Sequence, residues 1–299
     1  MKHQRLGTTG LDVSDLGLGT FEWGHRVDVG AAQRILDVFI DAGGNLVELP
    51  SSGVQAAAVL SRLSVPAEIV LCARVGVSMS ETSHIEVGLG RSRILDQVDR
   101  LLSATGREHI DVLVLDVFDE VVDKEETASA LSTLLTLGKI RYIGLSHHTG
   151  WQLSEMRHMS VPVAAVLAEY SLLNREAEHD LIPAADYAGI GFIAGAGLGR
   201  GVLSDKYVRS TPGDSRAAGE LAEYVGAYLD DRCSRVMAGV RRAATALGVS
   251  SADIALAFNR HRGVTSSLVS ARTEEQMAAL ARSDVALAPE IAEVLEQIS

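Results

Sequence analysis

A (β/α)8 barrel is the fold this sequence predicts, and three observations carry the prediction. Apolar strand-like runs alternate with helical patterns roughly every 20 to 40 residues, the rhythm of repeated βα units. Several of the runs are apolar on both faces, as parallel strands covered by helices must be. No Gly-rich phosphate turn follows the first strand, which weighs against an open doubly wound sheet.

The opening "RLGTTGLDVSDLGLGT" has the Gly-rich turns of a short β-hairpin ahead of the first core strand. Ile35, Leu36, Phe39 and Ile40 share one helical face, and Gly43 supplies the stop. Strands are then expected at "NLVEL", "EIVLCARV", "IDVLVLDVF", "IRYIGLSH", "AAVLAEY" and "GIGFIAGA", with "SSLVSA" far downstream. The acid-rich "DKEETASAL" from Asp123 reads as a solvated helix start whose carboxylates favour the macrodipole. Residues 208–231, "VRSTPGDSRAAGELAEYVGAYLDD", carry the strongest loop signal and are expected to form a variable excursion. No linker divides the chain, so residues 1–299 are read as one domain.

Composition narrows the partners. The 299 residues are 47% hydrophobic, enough for a large core, and the formal charge is -12. Such an acidic chain lacks the basic surface that nucleic acid or an anionic membrane requires, which leaves a small molecule or another protein. Cys72 and Cys233 make no disulfide framework. The N-terminus has no leader-like apolar core, and no run of 18 apolar residues occurs. A soluble cytoplasmic protein is the expectation.

Several blocks resemble the aldo-keto reductase family, a (β/α)8 barrel of NADP-dependent carbonyl reductases. They are "RLGTTGLDVSDLGLGTFEWG", "GKIRYIGLSHHTGWQL", "AEYSLLNRE", "GLGRGVLSDKY" and "VTSSLVSARTEEQ", in family order. The resemblance implies an active site of Asp, Tyr, Lys and His at the barrel mouth, with Tyr as the proton donor. Each position differs here. Glu48 stands for the Asp, Arg74 for the Lys and Asp116 for the His; Gly53, or Ser52 with a one-residue gap, stands for the Tyr. Reduction builds negative charge on the substrate oxygen, so the missing phenol removes the acid that would quench it.

The implied cofactor site is kept unevenly. Gly195, Ala196 and Gly197 replace the stacking Tyr and its two successors, and His147 and Leu167 replace the Asn and Gln that hold the carboxamide, leaving Ser146. Leu198, Gly199, Arg200 and Gly201 match the pyrophosphate loop, and Ser270, Arg272 and Gln276 match the 2'-phosphate and adenine contacts. Leu280 replaces a final Asn. The resemblance therefore implies a degenerate member, a pseudoenzyme with residual NADP or phosphate-ligand binding.

Other readings of the same residues stay open. Glu48 and Asp116 around Arg74 form either a buried ionic network, in which a shared cation holds both acids ionised, or an acid–base pair for a lyase, isomerase or hydrolase. In the second case Gly53, Gly195 and Gly197 mark a widened pocket. An unorthodox NADP-dependent oxidoreductase and a regulatory binding subunit are the remaining classes. His147 and His148 could join the acids around a metal, but Arg74 would repel it and adjacent histidines at a strand end point apart, so no metal is expected. Phe21 and Trp23 either line a pocket or pack, and Glu22 adds an anion beside them. Arg272 either binds an anion or is a solvated helix-start residue. Trp151 and Tyr170 are read as structural.

Overall fold

The computed structural model describes residues 1–51, 53–79, 85–207, 213, 216–219 and 221–299. A hairpin of β1 (His3–Arg5) and β2 (Asp12–Ser14) precedes the barrel strands β3 (Leu16–Gly19), β4 (Leu46–Leu49) and β5 (Val70–Val75). A second hairpin follows, β6 (Val77–Met79) with β7 (Ile85–Val87), and then β8 (Ile110–Leu115), β9 (Ile140–Ser146), β10 (Val163–Glu169), β11 (Gly191–Gly195) and β12 (Ser266–Val269). The strands β3, β4, β5, β8, β9, β10, β11 and β12 pair in parallel, and β12 closes on β3.

Helices α1 (Val29–Asp41), α2 (Val54–Leu60), α3 (Arg91–Thr105), α4 (Lys124–Thr136), α5 (Gly150–His158) and α6 (Leu181–Ala188) each follow a strand. Beyond β11 come α7 (Ala222–Gly226), α8 (Asp231–Leu247) and α9 (Ser251–His261), then α10 (Glu274–Ala281) and α11 (Pro289–Ile298) after β12. The acid-rich stretch behaves as its composition predicts, with Asp123 capping α4 and Glu125 and Glu126 in its first turn. The excursion expected at 208–231 contains α7; residues 208–212, 214–215 and 220 of it lie outside the described residues.

Strand alternation explains how the core and the mouth arise from one pattern. Leu46, Val70, Cys72, Val112, Val114, Ala165, Leu167, Ile193 and Leu268 fill the barrel interior, closed below by Leu6 and Val13 of the first hairpin. Residues two further along each strand share their face. That step converts Leu46 to Glu48, Cys72 to Arg74, Val114 to Asp116, Leu167 to Glu169, Ile193 to Gly195 and Leu268 to Ser270. The last inward layer is thus polar where the layers beneath are apolar.

Candidate functional site

That polar layer is the floor of a cleft of about 730 Å³ whose lining runs from Glu48, Arg74 and Asp116 to Arg272 and Gln276. Arg74 sits between two acids. Its Nε is 2.7 Å from Glu48 Oε1 as an ion pair, and its Nη1 donates to Asp116 Oδ1 at 3.1 Å. The same Nη1 reaches Ser146 Oγ at 3.5 Å. The three residues that the sequence groups together are therefore in contact.

The contacts are those of the buried ionic network, with burial opposing the charge of Glu48. Burial pushes the Glu48 carboxyl above its ordinary range, outweighing the attraction of Arg74, and Asp116 pushes the same way. Burial also opposes the charge of Arg74, but Glu48 and then Asp116 more than compensate and hold it cationic. The physical reason is depth: Glu48 keeps only 5% of its surface, so its charge loses nearly all of its hydration.

The glycines do not mark a widened pocket throughout, which corrects that reading. A Cβ on Gly53 would meet the Pro50 carbonyl oxygen at 2.6 Å, and one on Gly197 would meet Ser267 Cβ at 3.1 Å. Both positions face packed backbone and side chains. Gly195 does line the cleft, although its missing Cβ would point at the Ala168 carbonyl, 3.3 Å away. Ser52, the other candidate for the phenol position, lies outside the described residues.

The two histidines diverge as expected. His147 takes a left-handed φ of 56°, is exposed, and brings Nε2 to 3.7 Å from Asp116. His148 turns inward, where its Nδ1 donates to the Ser146 carbonyl at 2.7 Å and its ring meets Phe118 edge-on. Burial lowers its pKa to about 4. No cluster of three or more metal-ligating side chains occurs among the described residues.

Around the floor the aromatic and acidic candidates separate. Phe21 lines the cleft, whereas Trp23 is 1% exposed and belongs to the core. Glu22 is buried within 3.8 Å of Arg26 and is not among the cleft-lining residues. Tyr170 is buried, and Trp151 is exposed and edge-on to Phe118.

At the far end, Leu198, Gly201, Ser270, Arg272 and Gln276 line the cleft together. Gln276 Oε1 accepts from the Arg272 backbone N–H at 2.9 Å, so its carboxamide orders the turn into α10. Gly199 is buried; a Cβ there would meet Leu173 at 2.8 Å, and its φ of +53° suits glycine. Arg200 lines the cleft as well, with its guanidinium held by an acid. Its Nε and Nη2 donate to the two carboxylate oxygens of Glu169, at 2.8 and 2.5 Å.

Among the cleft residues that the sequence reading did not single out are Ser204, Lys206 and Tyr224. Lys206 Nζ lies where a Cβ on Gly201 would be, 2.6 Å from that point, so the glycine admits the ammonium over the turn. The lysine was visible at the end of "GLGRGVLSDKY"; Tyr224 had no signal beyond its place in the excursion.

The residues can be tested against the dinucleotide that the resemblance implies. Ser146 is 1% exposed and approached by Arg74, Leu167 is core, and His147 faces Asp116. Of the carboxamide-holding set that the resemblance implies, Ser146 alone is kept. Ser204, Lys206, Ser270 and Arg272 line the same cleft, a donor set that suits phosphate.

Comparison with known proteins agrees with this architecture. The model of the Aldo/keto reductase family matches residues 15–298. An uncharacterized oxidoreductase of Bacillus subtilis (strain 168), YrpG, is 27% identical over 324 residues, covering 100% of this chain and 96% of its own. The L-glyceraldehyde 3-phosphate reductase of Escherichia coli (strain K12) is 28% identical over 299 residues, covering 93% of this chain and 86% of its own. Aldo-keto reductase AMT2 of Alternaria alternata is 29% identical over 198 residues, 64% of this chain and 52% of its own.

Proposed function

Because the chain belongs to the aldo/keto reductase family, we propose that it is a reductase-like protein without the family's tyrosine-dependent NADPH reduction of carbonyls, whose cleft holds a phosphate-bearing small molecule, NADP included. One observation carries this reading. Gly53, the position that the resemblance aligns with the phenol, carries no side chain, and a Cβ there would meet the Pro50 carbonyl oxygen at 2.6 Å. Arg74 offers no replacement, because a guanidinium does not release its proton. No step of hydride transfer follows from such a site.

The phosphate half of the proposal draws on Lys206, Arg272, Ser204 and Ser270 in the cleft wall. A relative named for a phosphorylated aldehyde is consistent with it. Loss of a positioned proton donor costs about two to four orders of magnitude in rate. NADPH oxidation over a panel of aldehydes and ketones is accordingly expected to stay near background, and robust saturable turnover would refute the proposal.

A second reading is favoured by the raised Glu48 carboxyl: proton transfer in a non-redox reaction such as an isomerisation or elimination. Glu48→Gln and Asp116→Asn would then abolish activity on the true substrate with the fold intact. A change in melting temperature alone would leave the ion pairs a purely structural role.

A further inference from the structure

Arg74 and Asp116 meet at the ends of β5 and β8 as a cation and an anion. Glu48 approaches Arg74 Nε at 2.7 Å, and Nη1 of the same guanidinium donates to Asp116 Oδ1 and Ser146 Oγ. His147 Nε2 approaches that same Oδ1, at 3.7 Å. Among the described residues, Arg74 Nη2 and Asp116 Oδ2 make no hydrogen bond, and neither atom is enclosed by the protein. Both residues line the cleft, with 17% and 13% of their side-chain surface exposed.

A cationic donor and a carboxylate oxygen on one wall are what enolisation requires. The cation steadies the negative charge that collects on a carbonyl oxygen when the neighbouring carbon loses its proton, and the carboxylate takes that proton. Arg74 suits the first task because it does not release its own proton. Held by Glu48 on one side and Asp116 on the other, it needs little reorganisation as charge develops. His147 stands outside the pair, 63% exposed, with Nε2 toward Asp116. Contacts of this kind are often long before a substrate binds, and the ring connects the carboxylate to water.

We propose that Arg74 and Asp116 enolise a small α-hydroxycarbonyl compound, with His147 exchanging the transferred proton with solvent. Arg74 Nη2 donates to the carbonyl oxygen while Asp116 Oδ2 takes the proton from the hydroxyl-bearing carbon; the C–H electron pair forms the new C=C bond and the carbonyl π pair moves to oxygen. Return of a proton to the former carbonyl carbon, with the hydroxyl proton passing to the enolate oxygen, gives the isomeric hydroxycarbonyl. Electrons balance within one molecule, so no hydride is consumed. The inference rests on the non-redox reading above and gives it a substrate class. Lys206, Arg272, Ser204 and Ser270 of the same cleft suit a phosphate on that compound.

Proton NMR in deuterated water tests this with dihydroxyacetone phosphate and dihydroxyacetone, through loss of the hydroxymethyl signal as deuterium enters. The parent should exchange the phosphorylated probe, and Asp116→Asn should slow that exchange by about two to four orders of magnitude while calorimetry still detects binding. His147→Gln should be slower than the parent and recover with added imidazole, which a merely structural histidine would not show. Binding of the phosphorylated probe without exchange in the parent would overturn the pair and leave the phosphate-ligand reading standing. Exchange lost in Glu48→Gln but kept in Asp116→Asn would also overturn it, leaving the non-redox reading with Glu48 as its acid or base. Equal exchange of both probes, lost in Asp116→Asn, would support the pair and count against the phosphate. If the parent neither binds nor exchanges either probe, the pair and the phosphate-ligand reading fall together.

Discussion

Glu48 and His148 are both titratable groups carried inward by strand ends, and burial shifts each of them against its charged form. The consequences for stability have opposite signs. A raised carboxyl binds more protons in the folded chain, so its contribution is present below the unfolded pKa and is lost as pH rises through the folded value. Glu48→Gln should therefore melt below the parent at pH 5, with the gap narrowing toward pH 8; a constant gap would contradict the raised carboxyl. His148, lowered to about 4, contributes stability above its unfolded pKa of 6.5 and loses it as pH falls through the folded value. Its shift corresponds to roughly 3 kcal/mol over the full titration. His148→Phe, which keeps a ring against Phe118, should flatten the fall in melting temperature between pH 7 and pH 5, and an unaltered slope would refute it. The sequence brought Glu48, Arg74 and Asp116 together from three separate strands, since barrel alternation and the family motif both mark the last inward layer. It did not show which of them ionise, because that depends on the depth of burial, and depth is a property of the closed barrel.

At the scale of elements, two arginines tie distant segments together. Arg200 joins the loop after β11 to Glu169 at the end of β10 and to α7. Glu169→Gln would leave one charge-assisted pair unmade, and faster amide exchange in 221–229 is the expected result; exchange equal to the parent would remove Glu169 from that role. Arg175 fixes the C-terminal helix by donating to the Glu296 carbonyl and Ser299 Oγ, each at 2.7 Å, and to Glu178. Arg175→Met should cost about 2 kcal/mol, the scale of hydrogen bonds to a charged group, with α11 exchanging first. Global unfolding with no selective loosening of α11 would argue against the clasp. The barrel strands were legible because each is a short apolar run bounded by turns. The β6–β7 hairpin was not, since "VSM" and "IEV" are three-residue segments without a period. The partner of Arg200 was hidden for another reason: Glu169 lies 31 residues away, and only the closing of β10 on β11 brings the two together.

For the whole molecule, charge and chemistry divide along one cleft. The acids and Arg74 stand at the ends of barrel strands, and the phosphate-compatible side chains come from the loops after β11 and β12. The family's fold is kept, while the residues at the positions that the resemblance assigns to the proton donor and nicotinamide contacts differ, which is the division that the proposed function rests on. The residue motifs revealed that division in the sequence, because the departures cluster at strand ends that converge on the mouth. Calorimetric titration of the parent protein with NADP, NADPH and 2'-phospho-adenosine diphosphate ribose tests the division most directly. Equal affinity for all three is the result that the proposed function predicts. A markedly tighter fit for NADP or NADPH than for the ring-truncated fragment would contradict it.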